Sequence, residues 1–234
     1  MTTNMKICLR NYLSALAIAV MAMAMVGCEP SDANKDYGFP LVYIPQATVT
    51  GMDNSYPIPN GPFGQNTKYT CYYKDGKLNI ALGVVRAGKL ADEKAFTVDL
   101  GVSDDETAKK VAELEGKETP AAELSVSLCT IPEKISVPAG DNTGTCYVSV
   151  DLQALAADQA PLKVEDPILN DKGIFYKQLV LGLEISNPTQ YELAESNTSV
   201  IIILDLNSSN WDGLSDETPE SAVRKLFPIN TTNQ

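Results

Sequence analysis

The chain has 234 residues and a formal net charge of −12, with 18 basic and 30 acidic side chains. Such an acidic surface repels nucleic acid, which binds clustered lysine and arginine, and it also repels anionic lipid headgroups. The sequence contains no histidine, which excludes Ser-His-Asp and Cys-His catalysis and removes the commonest transition-metal ligand. We therefore expect no nucleic-acid partner, no cofactor and no metal site.

The N-terminal residues have the pattern of a secretory signal. Lys6 and Arg10 form a basic head, and an almost uninterrupted apolar run follows over residues 13–26. Because a membrane-spanning helix needs about 20 apolar residues, this shorter run is typical of a signal peptide that is removed. Translation could start at Met1 or at Met5, and the sequence allows both.

The apolar run ends in Met25-Val26-Gly27-Cys28, which resembles the lipobox of bacterial lipoproteins, with Met25 where leucine is commoner. We expect a signal peptide over residues 1–27 and a lipid on the Cys28 thiol, which would anchor the protein to a membrane. The alternative is an ordinary secreted protein, although ordinary cleavage favours an A-x-A-like site. Because Glu29 is not the aspartate that retains lipoproteins at the inner membrane, the expected location is the outer membrane, exposed at the cell surface.

The remaining chain divides by composition into three parts. Residues 28–38 are polar and acidic, which predicts a flexible tether. Residues 39–207 have mostly two-residue periodicity and form the expected folded domain, whereas residues 208–234 form a polar tail. The first strand, residues 39–44, is expected at a sheet edge because prolines lie at both ends.

A β-hairpin is predicted at Asp75-Gly76, since both residue types tolerate positive φ. The two arms are residues 69–73 and 78–85, and the alternation of the second arm indicates a half-buried antiparallel strand. Arg86 ends this arm, and we expect it to pair with Asp99 of a neighbouring strand.

Several further strands follow. The two-residue pattern predicts strands over residues 96–102, 124–128, 134–137 and 145–150. The longer apolar runs at 179–185 and 199–206 are typical of central strands that are covered on both faces.

One helix interrupts the strands. Ser103 and Glu106 have the spacing of a capping box, and Gly116 marks the expected end. An ion pair between Glu106 and Lys110 would stabilise this helix, which we expect across one end of a sheet. Residues 151–157 are expected to form a further helical turn.

Eight or nine strands at this spacing predict an all-β, immunoglobulin-like antiparallel β-sandwich, with one short helix inserted between strands. After loss of the signal peptide and lipidation of Cys28, Cys71, Cys129 and Cys146 remain. Cys129 and Cys146 could pair across neighbouring strands or stay free, and the sequence leaves this open. A C-x-x-C motif is absent, so a redox or zinc-ribbon role is unsupported.

Five segments carry a resemblance to a known family. In chain order they are Val42–Ala47, Leu82–Gly88, Phe96–Leu100, Ile135–Gly140 and Asn187–Leu193. Together they resemble the family catalogued as domain of unknown function 1735, an immunoglobulin-like β-sandwich of Bacteroidetes surface lipoproteins. The resemblance covers roughly residues 38–207. It implies a fold and a setting, because the family also forms the N-terminal module of some family-18 endo-glycosidases and accompanies glycan-utilisation loci.

The resemblance supplies no catalytic residue, and the acidic residues do not supply one either. The nearest approach to a family-18 glycosidase motif is Asp99, Asp104, Asp105 and Glu106, at the wrong spacing. The last three are better explained as helix-capping residues. Residues 141–144 are interpreted as a hairpin turn in preference to a calcium site. We therefore expect no enzyme.

Exposed aromatic side chains that stack on sugar rings are the remaining candidates for a site. Tyr43, Tyr56, Tyr72, Tyr73 and Trp211 are considered, and the ligand-binding candidates are Tyr72, Tyr73 and Trp211. Adjacent Tyr72 and Tyr73 point to opposite faces of a strand, so one should face solvent. Core packing is the alternative explanation for each of these side chains.

The favoured hypothesis is an exported, lipid-anchored, non-catalytic surface protein that binds glycans or serves a polysaccharide-utilisation system. The alternative is a structural or adhesive lipoprotein that binds another outer-membrane protein, for example through a strand edge. An enzyme using carboxylates alone would need two of them roughly 5–10 Å apart in a cleft. A solvent-facing row of aromatics would favour the first hypothesis, and a bare apolar edge strand would favour the second.

Overall fold

The computed structural model describes residues 38–51, 53–59, 71–115, 117, 120–157, 162–164, 176–208, 223 and 225–227. Within these ranges two six-stranded sheets enclose one shared hydrophobic core, which confirms the predicted all-β sandwich. The signal peptide, Cys28, Trp211 and all of the tether except Gly38 lie outside the described residues, so these predictions stay predictions. The domain boundary predicted after residue 207 also remains a prediction.

The described strands are, in chain order, β1 (Leu41–Tyr43), β2 (Ser55–Ile58), β3 (Cys71–Lys74), β4 (Lys77–Arg86), β5 (Phe96–Val102), β6 (Ala121–Glu123), β7 (Cys129–Thr130), β8 (Lys134–Val137), β9 (Thr143–Asp151), β10 (Gln178–Ser186), β11 (Glu192–Leu193) and β12 (Ser199–Leu204). The first sheet has the order β11-β1-β4-β9-β7, and β3 also pairs with β4. The second sheet has the order β2-β12-β10-β5-β8, and β6 also pairs with β10.

The sheets are mixed, whereas the sequence predicted antiparallel ones. Three short pairings are parallel, namely β1 with β11, β6 with β10 and β2 with β12. The expectation that the first strand is an edge strand was wrong, because β1 lies between β11 and β4. Pro40 and Pro45 lie just outside the strand, so every residue within it keeps the backbone N–H that pairing requires.

The two central strands of the second sheet are covered on both faces, as their apolar runs predicted. Their inward side chains join the shared core, while Val180, Ile201 and Ile203 form a second cluster on the outer face. Helix α1 (Asp104–Leu114) packs Val111 and Leu114 onto this cluster. The helix therefore lies on the outer face of the second sheet and not across its end.

The predicted capping box at the start of α1 is wrong. Ser103 is the N-cap residue, but its side chain makes no capping hydrogen bond. The Thr107 hydroxyl instead donates to the Ser103 carbonyl oxygen at 2.9 Å and accepts the Gly182 N–H at 2.8 Å. The first turn is thus hydrogen-bonded directly to strand β10.

Lys110 on α1 also has partners other than the predicted Glu106. Its ammonium group is 3.1 Å from a carboxylate oxygen of Asp53 and 3.1 Å from one of Glu113. Because Asp53 belongs to the loop before β2, this buried lysine joins the helix to the far edge of the second sheet.

The hairpin prediction is confirmed, whereas the prediction of a strand over residues 124–128 is wrong. Asp75 and Gly76 link β3 to β4 with φ angles of 52° and 80°. Residues 124–128 are not a strand; they include a 3-10 helix, Val126–Leu128. This segment carries the chain from β6 in the second sheet to β7 in the first.

The predicted hairpin turn at residues 141–144 is likewise a crossing between sheets. β8 pairs with β5 in the second sheet, whereas β9 pairs with β4 in the first. The bend before β9 contains Gly140 at φ 84°, and the Asp141 N–H donates to the Pro138 carbonyl oxygen at 3.3 Å. Of the four predicted turn residues only Asp141 and Asn142 precede β9, since Thr143 and Gly144 belong to that strand, and the segment joins two layers instead of closing a hairpin.

Arg86 pairs with Glu93, at 2.6 Å, and not with Asp99. Arg86 lies on the inner face of β4 and its side chain is fully buried. Asp99 points outward from β5, where it accepts hydrogen bonds from Lys134 and Asn187. The two side chains therefore lie on different faces of different sheets.

Cys129 and Cys146 are free thiols. Cys129 is opposite Val150 on β9, four residues along that strand from Cys146. At about 3.3 Å per residue this separation is too large for a disulfide. Burial raises the pKa of both thiols to about 11, which makes them poor nucleophiles at neutral pH.

The C-terminal segment contributes to the core. Val223 and Phe227 are fully buried, and the Phe227 ring meets the Tyr176 ring edge-on at a centroid distance of 5.5 Å. Among the described residues, no helix is long and apolar enough to cross a membrane.

Candidate functional site

Tyr72 is the outward-facing member of the adjacent tyrosine pair. Its side chain lies on the outer face of the first sheet and the residue is 40% exposed. Tyr73 points inward and packs against the shared core. The prediction that one of the two faces solvent is therefore confirmed, and the structure assigns that position to Tyr72.

A second tyrosine, Tyr147 on β9, completes an exposed aromatic pair with Tyr72. Tyr147 is 44% exposed, and the two ring centroids are 5.1 Å apart with an interplanar angle of 76°. β3 and β9 flank β4, so the rings reach toward each other above the middle strand. Tyr72 is opposite Asn79, and Tyr147 is opposite Ala81. The short side chain of Ala81 leaves room for this diagonal contact.

The residues beneath the pair are polar and held by hydrogen bonds. The Ser149 hydroxyl donates to Asn79 Oδ1 at 2.6 Å. Asn79 Nδ2 in turn donates to the backbone oxygens of Lys77, at 3.3 Å, and Tyr72, at 3.5 Å. Because Asn79 is 9% exposed, its carboxamide fixes the strand beneath the rings, while the Ser149 oxygen keeps a lone pair that can face solvent.

The outer face continues along β4 and β9 beyond the tyrosines. Gln46 Oε1 accepts the Gly83 N–H at 3.2 Å. A Cβ atom on Gly83 would lie 2.8 Å from the Gly144 carbonyl oxygen, 3.8 Å from Thr145 Oγ1 and 3.9 Å from Gln46 Nε2. The position therefore requires glycine, and the Thr145 hydroxyl and the Gln46 carboxamide lie close to it on either side.

Near the tyrosine pair, the charged side chains on this face lie at the hairpin end, while exposed Glu192 lies on β11, opposite Leu41. Lys74 is opposite Lys77, and Lys77 is opposite Asp151. The Lys77 ammonium donates to Thr130 Oγ1 at 3.5 Å. Farther along β4 and β9, the outward residues that the structure describes are uncharged.

The other aromatic candidates do not join the pair. Tyr43 is opposite Val85, six residues along β4 from Asn79 and so about 20 Å away. Tyr56 is 2% exposed, and burial raises the pKa of its hydroxyl. The structure does not test Trp211. Tyr147, which the sequence analysis missed, could have been found from the outward alternation of Thr145, Tyr147 and Ser149 in β9.

The carboxylates with displaced pKa values serve the fold. Hydrogen bonds from Thr50, Ser55 and Lys110 hold the pKa of Asp53 well below its usual range, although partial burial opposes the shift. The pKa of Asp99 is lowered chiefly by the hydrogen bond from Lys134. Such groups stay ionised at neutral pH, whereas a general acid needs a raised pKa. In the described ranges no three His, Cys, Asp or Glu side chains are grouped to hold a metal ion.

No family model matches the sequence. No curated protein matches it. Three solved structures that are similar to the chain come from Bacteroides species. A suspected carbohydrate-binding protein from Bacteroides ovatus is 12% identical, with a TM-score of 0.41 over 71% of this chain and 37% of that one. A multidomain protein from the same species that includes domain of unknown function 1735 is 15% identical, with a TM-score of 0.39 over 70% of this chain and 43% of that one.

The third structure is an auxiliary nutrient-binding protein from Bacteroides thetaiotaomicron. It is 16% identical, with a TM-score of 0.39 over 67% of this chain and 46% of that one. The chain spans less than half of each of these three proteins, and the low similarity carries no functional conclusion. The family that the sequence motifs resemble, domain of unknown function 1735, is represented among the Bacteroides structures similar to this chain.

Proposed function

We propose that this protein binds carbohydrate, without catalysis, through the Tyr72–Tyr147 pair on the outer face of the first sheet. The observation that carries the proposal is the contact between two solvent-facing tyrosine rings, 5.1 Å apart. An aromatic ring offers a flat apolar face to the C–H face of a sugar, and its hydroxyl remains available for hydrogen bonding. The Asn79–Ser149 hydrogen bond supports the strands from which the rings project.

The exposed pair is not part of the shared hydrophobic core. Two aromatic side chains that serve core packing would be buried, as Tyr56 and Tyr176 are. Tyr72 and Tyr147 instead leave 40% and 44% of their surface open to solvent, although each covers part of the other. Small-molecule sites combine aromatic side chains with a few placed polar groups, and here Asn79 and Ser149 lie beneath the two rings.

In the proposed setting, the protein is an exported lipoprotein of the outer membrane, anchored by Cys28 and exposed at the cell surface. The lipobox-like Met25-Val26-Gly27-Cys28 sequence and the absence of aspartate at residue 29 support this location. The carbohydrate would be a substrate of a polysaccharide-utilisation system, in which this protein is an accessory that holds glycan for other chains.

The alternative, adhesion to a protein through a strand edge, has less support at the four edges formed by β2, β7, β8 and β11. β7 and β11 are two residues long, and β2 contains Pro57. β8 exposes Lys134 and Ser136 on its outer face. Short strands, proline and lysine are features that prevent edge-to-edge pairing.

Binding to a glycan array tests the proposal directly. The protein used is residues 31–234, which retains every described residue and lacks the lipidation site. The Tyr72→Ala/Tyr147→Ala double variant is compared with wild type. Phe39→Ala is the matched control, because Phe39 is 82% exposed and precedes β1, beyond the opposite end of β4.

We expect wild type and Phe39→Ala to bind the same class of glycan, and the double variant to lose at least about tenfold in affinity, or about 1.4 kcal/mol. Thermal unfolding of all three proteins establishes that the variants are folded. Absence of binding across the array, or equal binding by the folded double variant, would contradict the proposal and direct attention to a protein partner from outer membranes.

A further inference from the structure

We infer that the surface between the tyrosine pair and the Gln46–Thr145 pair binds an uncharged oligosaccharide that extends along β4 and β9. This inference rests on the proposed function and adds the length and charge class of the ligand. We call this surface the β4–β9 strip; its members are Tyr72, Asn79, Gly83, Gln46, Thr145 and Tyr147.

The β4–β9 strip has hydrogen-bonding groups at the end opposite the tyrosines. Gln46 uses Oε1 to accept the Gly83 N–H, and among the described residues its Nε2 group has no hydrogen-bond partner. The Thr145 hydroxyl is exposed on the neighbouring strand, and each group lies within 4 Å of the site that a Gly83 Cβ would occupy. An amide donor and a hydroxyl thus flank one position, as in a site that contacts sugar hydroxyl groups.

The length of the strip follows from the sheet register. Tyr72 is opposite Asn79, and the Gln46–Thr145 pair flanks Gly83, four residues farther along β4. At about 3.3 Å per residue the two ends are about 13 Å apart. Ala81 has a short side chain and Gly83 has none, so no long side chain of β4 projects from the surface between the two ends. A single sugar ring cannot reach both ends, whereas a linear chain of several rings can.

The charge of the strip indicates the class of chain. The protein has a net charge of −12, yet the described outward residues from Asn79 to Val85 and from Thr143 to Ser149 carry no charge. Lys74, Lys77 and Asp151 are confined to the hairpin end. A strip without charge in an acidic protein complements a ligand without charge, since a uronate or sulfate chain would be repelled overall and would find no paired cation along the strip.

Two isosteric substitutions remove the proposed contacts at the distal end. Thr145→Val removes the hydroxyl and keeps the branched shape. Gln46→Glu keeps the oxygen that accepts the Gly83 N–H and replaces the amide donor by an acceptor. Thr97→Val is the matched control, because Thr97 is an outward, partly exposed threonine on β5 of the second sheet.

The test measures affinity by titration calorimetry for neutral di-, tetra- and hexasaccharides of xylan, mannan, cellulose and starch type, with oligogalacturonate as the acidic comparison. We expect affinity to rise by at least about tenfold from di- to tetrasaccharide. Thr145→Val and Gln46→Glu should each lower tetrasaccharide affinity by roughly three- to tenfold and leave disaccharide affinity unchanged. Thr97→Val should leave the affinity for both oligosaccharides unchanged. Raising the salt concentration from about 50 to about 500 mM should not change the affinity of the wild type for the neutral oligosaccharides.

The outcomes separate this inference from the proposed function. Binding that requires the tyrosines but does not depend on chain length, Thr145 or Gln46 would overturn the inference and leave the proposed function intact. Preference for oligogalacturonate, with an affinity that falls as the salt concentration rises, would overturn the inference that the ligand is uncharged. Absence of binding to all of these sugars, or binding that the Tyr72→Ala/Tyr147→Ala variant retains, would overturn both.

Discussion

Helix α1 approaches the second sheet so closely at Gly182 that a side chain there has no space. A Cβ atom at this position would lie 2.6 Å from the Ser103 carbonyl oxygen and 3.0 Å from both the backbone nitrogen and the hydroxyl oxygen of Thr107. All but the hydroxyl are backbone atoms, so Gly182→Ala would have to push the first turn of the helix away from β10. The displacement would also weaken the 2.8 Å hydrogen bond from the Gly182 N–H to Thr107.

The magnitude follows from these contacts. Forcing an extra methyl group into a packed site costs about 1–3 kcal/mol, and loss of the hydrogen bond costs about 1 kcal/mol. Alanine recovers about 0.5–1 kcal/mol relative to glycine through the lower entropy of the unfolded chain. The free energy of unfolding should therefore fall by about 2 kcal/mol, which corresponds to a Tm decrease of about 4–8 °C for a domain of this size.

The matched control is Gly101→Ala on the adjacent strand β5. Gly101 is opposite Glu184, two residues from Gly182, and a Cβ atom there would meet no atom within 4 Å. This variant should be as stable as wild type or slightly more stable. Urea unfolding of the three proteins measures the difference. If Gly182→Ala were as stable as Gly101→Ala, the close approach of α1 to the sheet would be refuted.

Three further outcomes are expected. Arg86→Met should lower the free energy of unfolding by about 3 kcal/mol, because the fully buried guanidinium pairs with Glu93 at 2.6 Å and its loss leaves that carboxylate without a partner; equal urea midpoints would contradict this. Asp53 has a lowered pKa in the folded chain, so its stabilising contribution is complete above the unfolded value of about 3.9 and is lost as pH falls through the folded value. Asp53→Asn should therefore lose less stability than wild type when unfolding is measured from about pH 7 down to about pH 2. Cys129 and Cys146, with pKa values of about 11, should react with a thiol reagent near pH 8 at least tenfold more slowly in the folded than in the urea-unfolded chain, as measured site by site by mass spectrometry.

Local patterns predicted those parts of the fold that depend on neighbouring residues. Asp75-Gly76 specifies its hairpin because both residues accept positive φ, at 52° and 80°. The apolar runs of β10 and β12 predicted coverage on both faces, which the core and α1 provide. Such signals lie within a few residues of each other, so no knowledge of the chain's path is needed to interpret them.

Features that depend on which sheet a strand joins were not predictable in this way. Residues 124–128 alternate like a strand but cross between the sheets, and β8 and β9 are consecutive yet lie in different sheets. Arg86 was expected to pair with an outward aspartate, whereas burial directs it to Glu93.

The candidate site was predicted in the same partial way. The two-residue period showed that Tyr72 or Tyr73 faces outward. Tyr147, however, is distant in sequence and joins Tyr72 only through the register of β4 with both β3 and β9.

Titration calorimetry of Tyr147→Ala and Tyr147→Phe with the glycan selected by the array tests the central claim most directly. Phenylalanine keeps the ring that contacts Tyr72 at 5.1 Å, and alanine removes it. If the ring pair is the binding surface, Tyr147→Phe should bind within about threefold of wild type, whereas Tyr147→Ala should bind at least about tenfold more weakly. Wild-type affinity in a folded Tyr147→Ala protein would contradict the account.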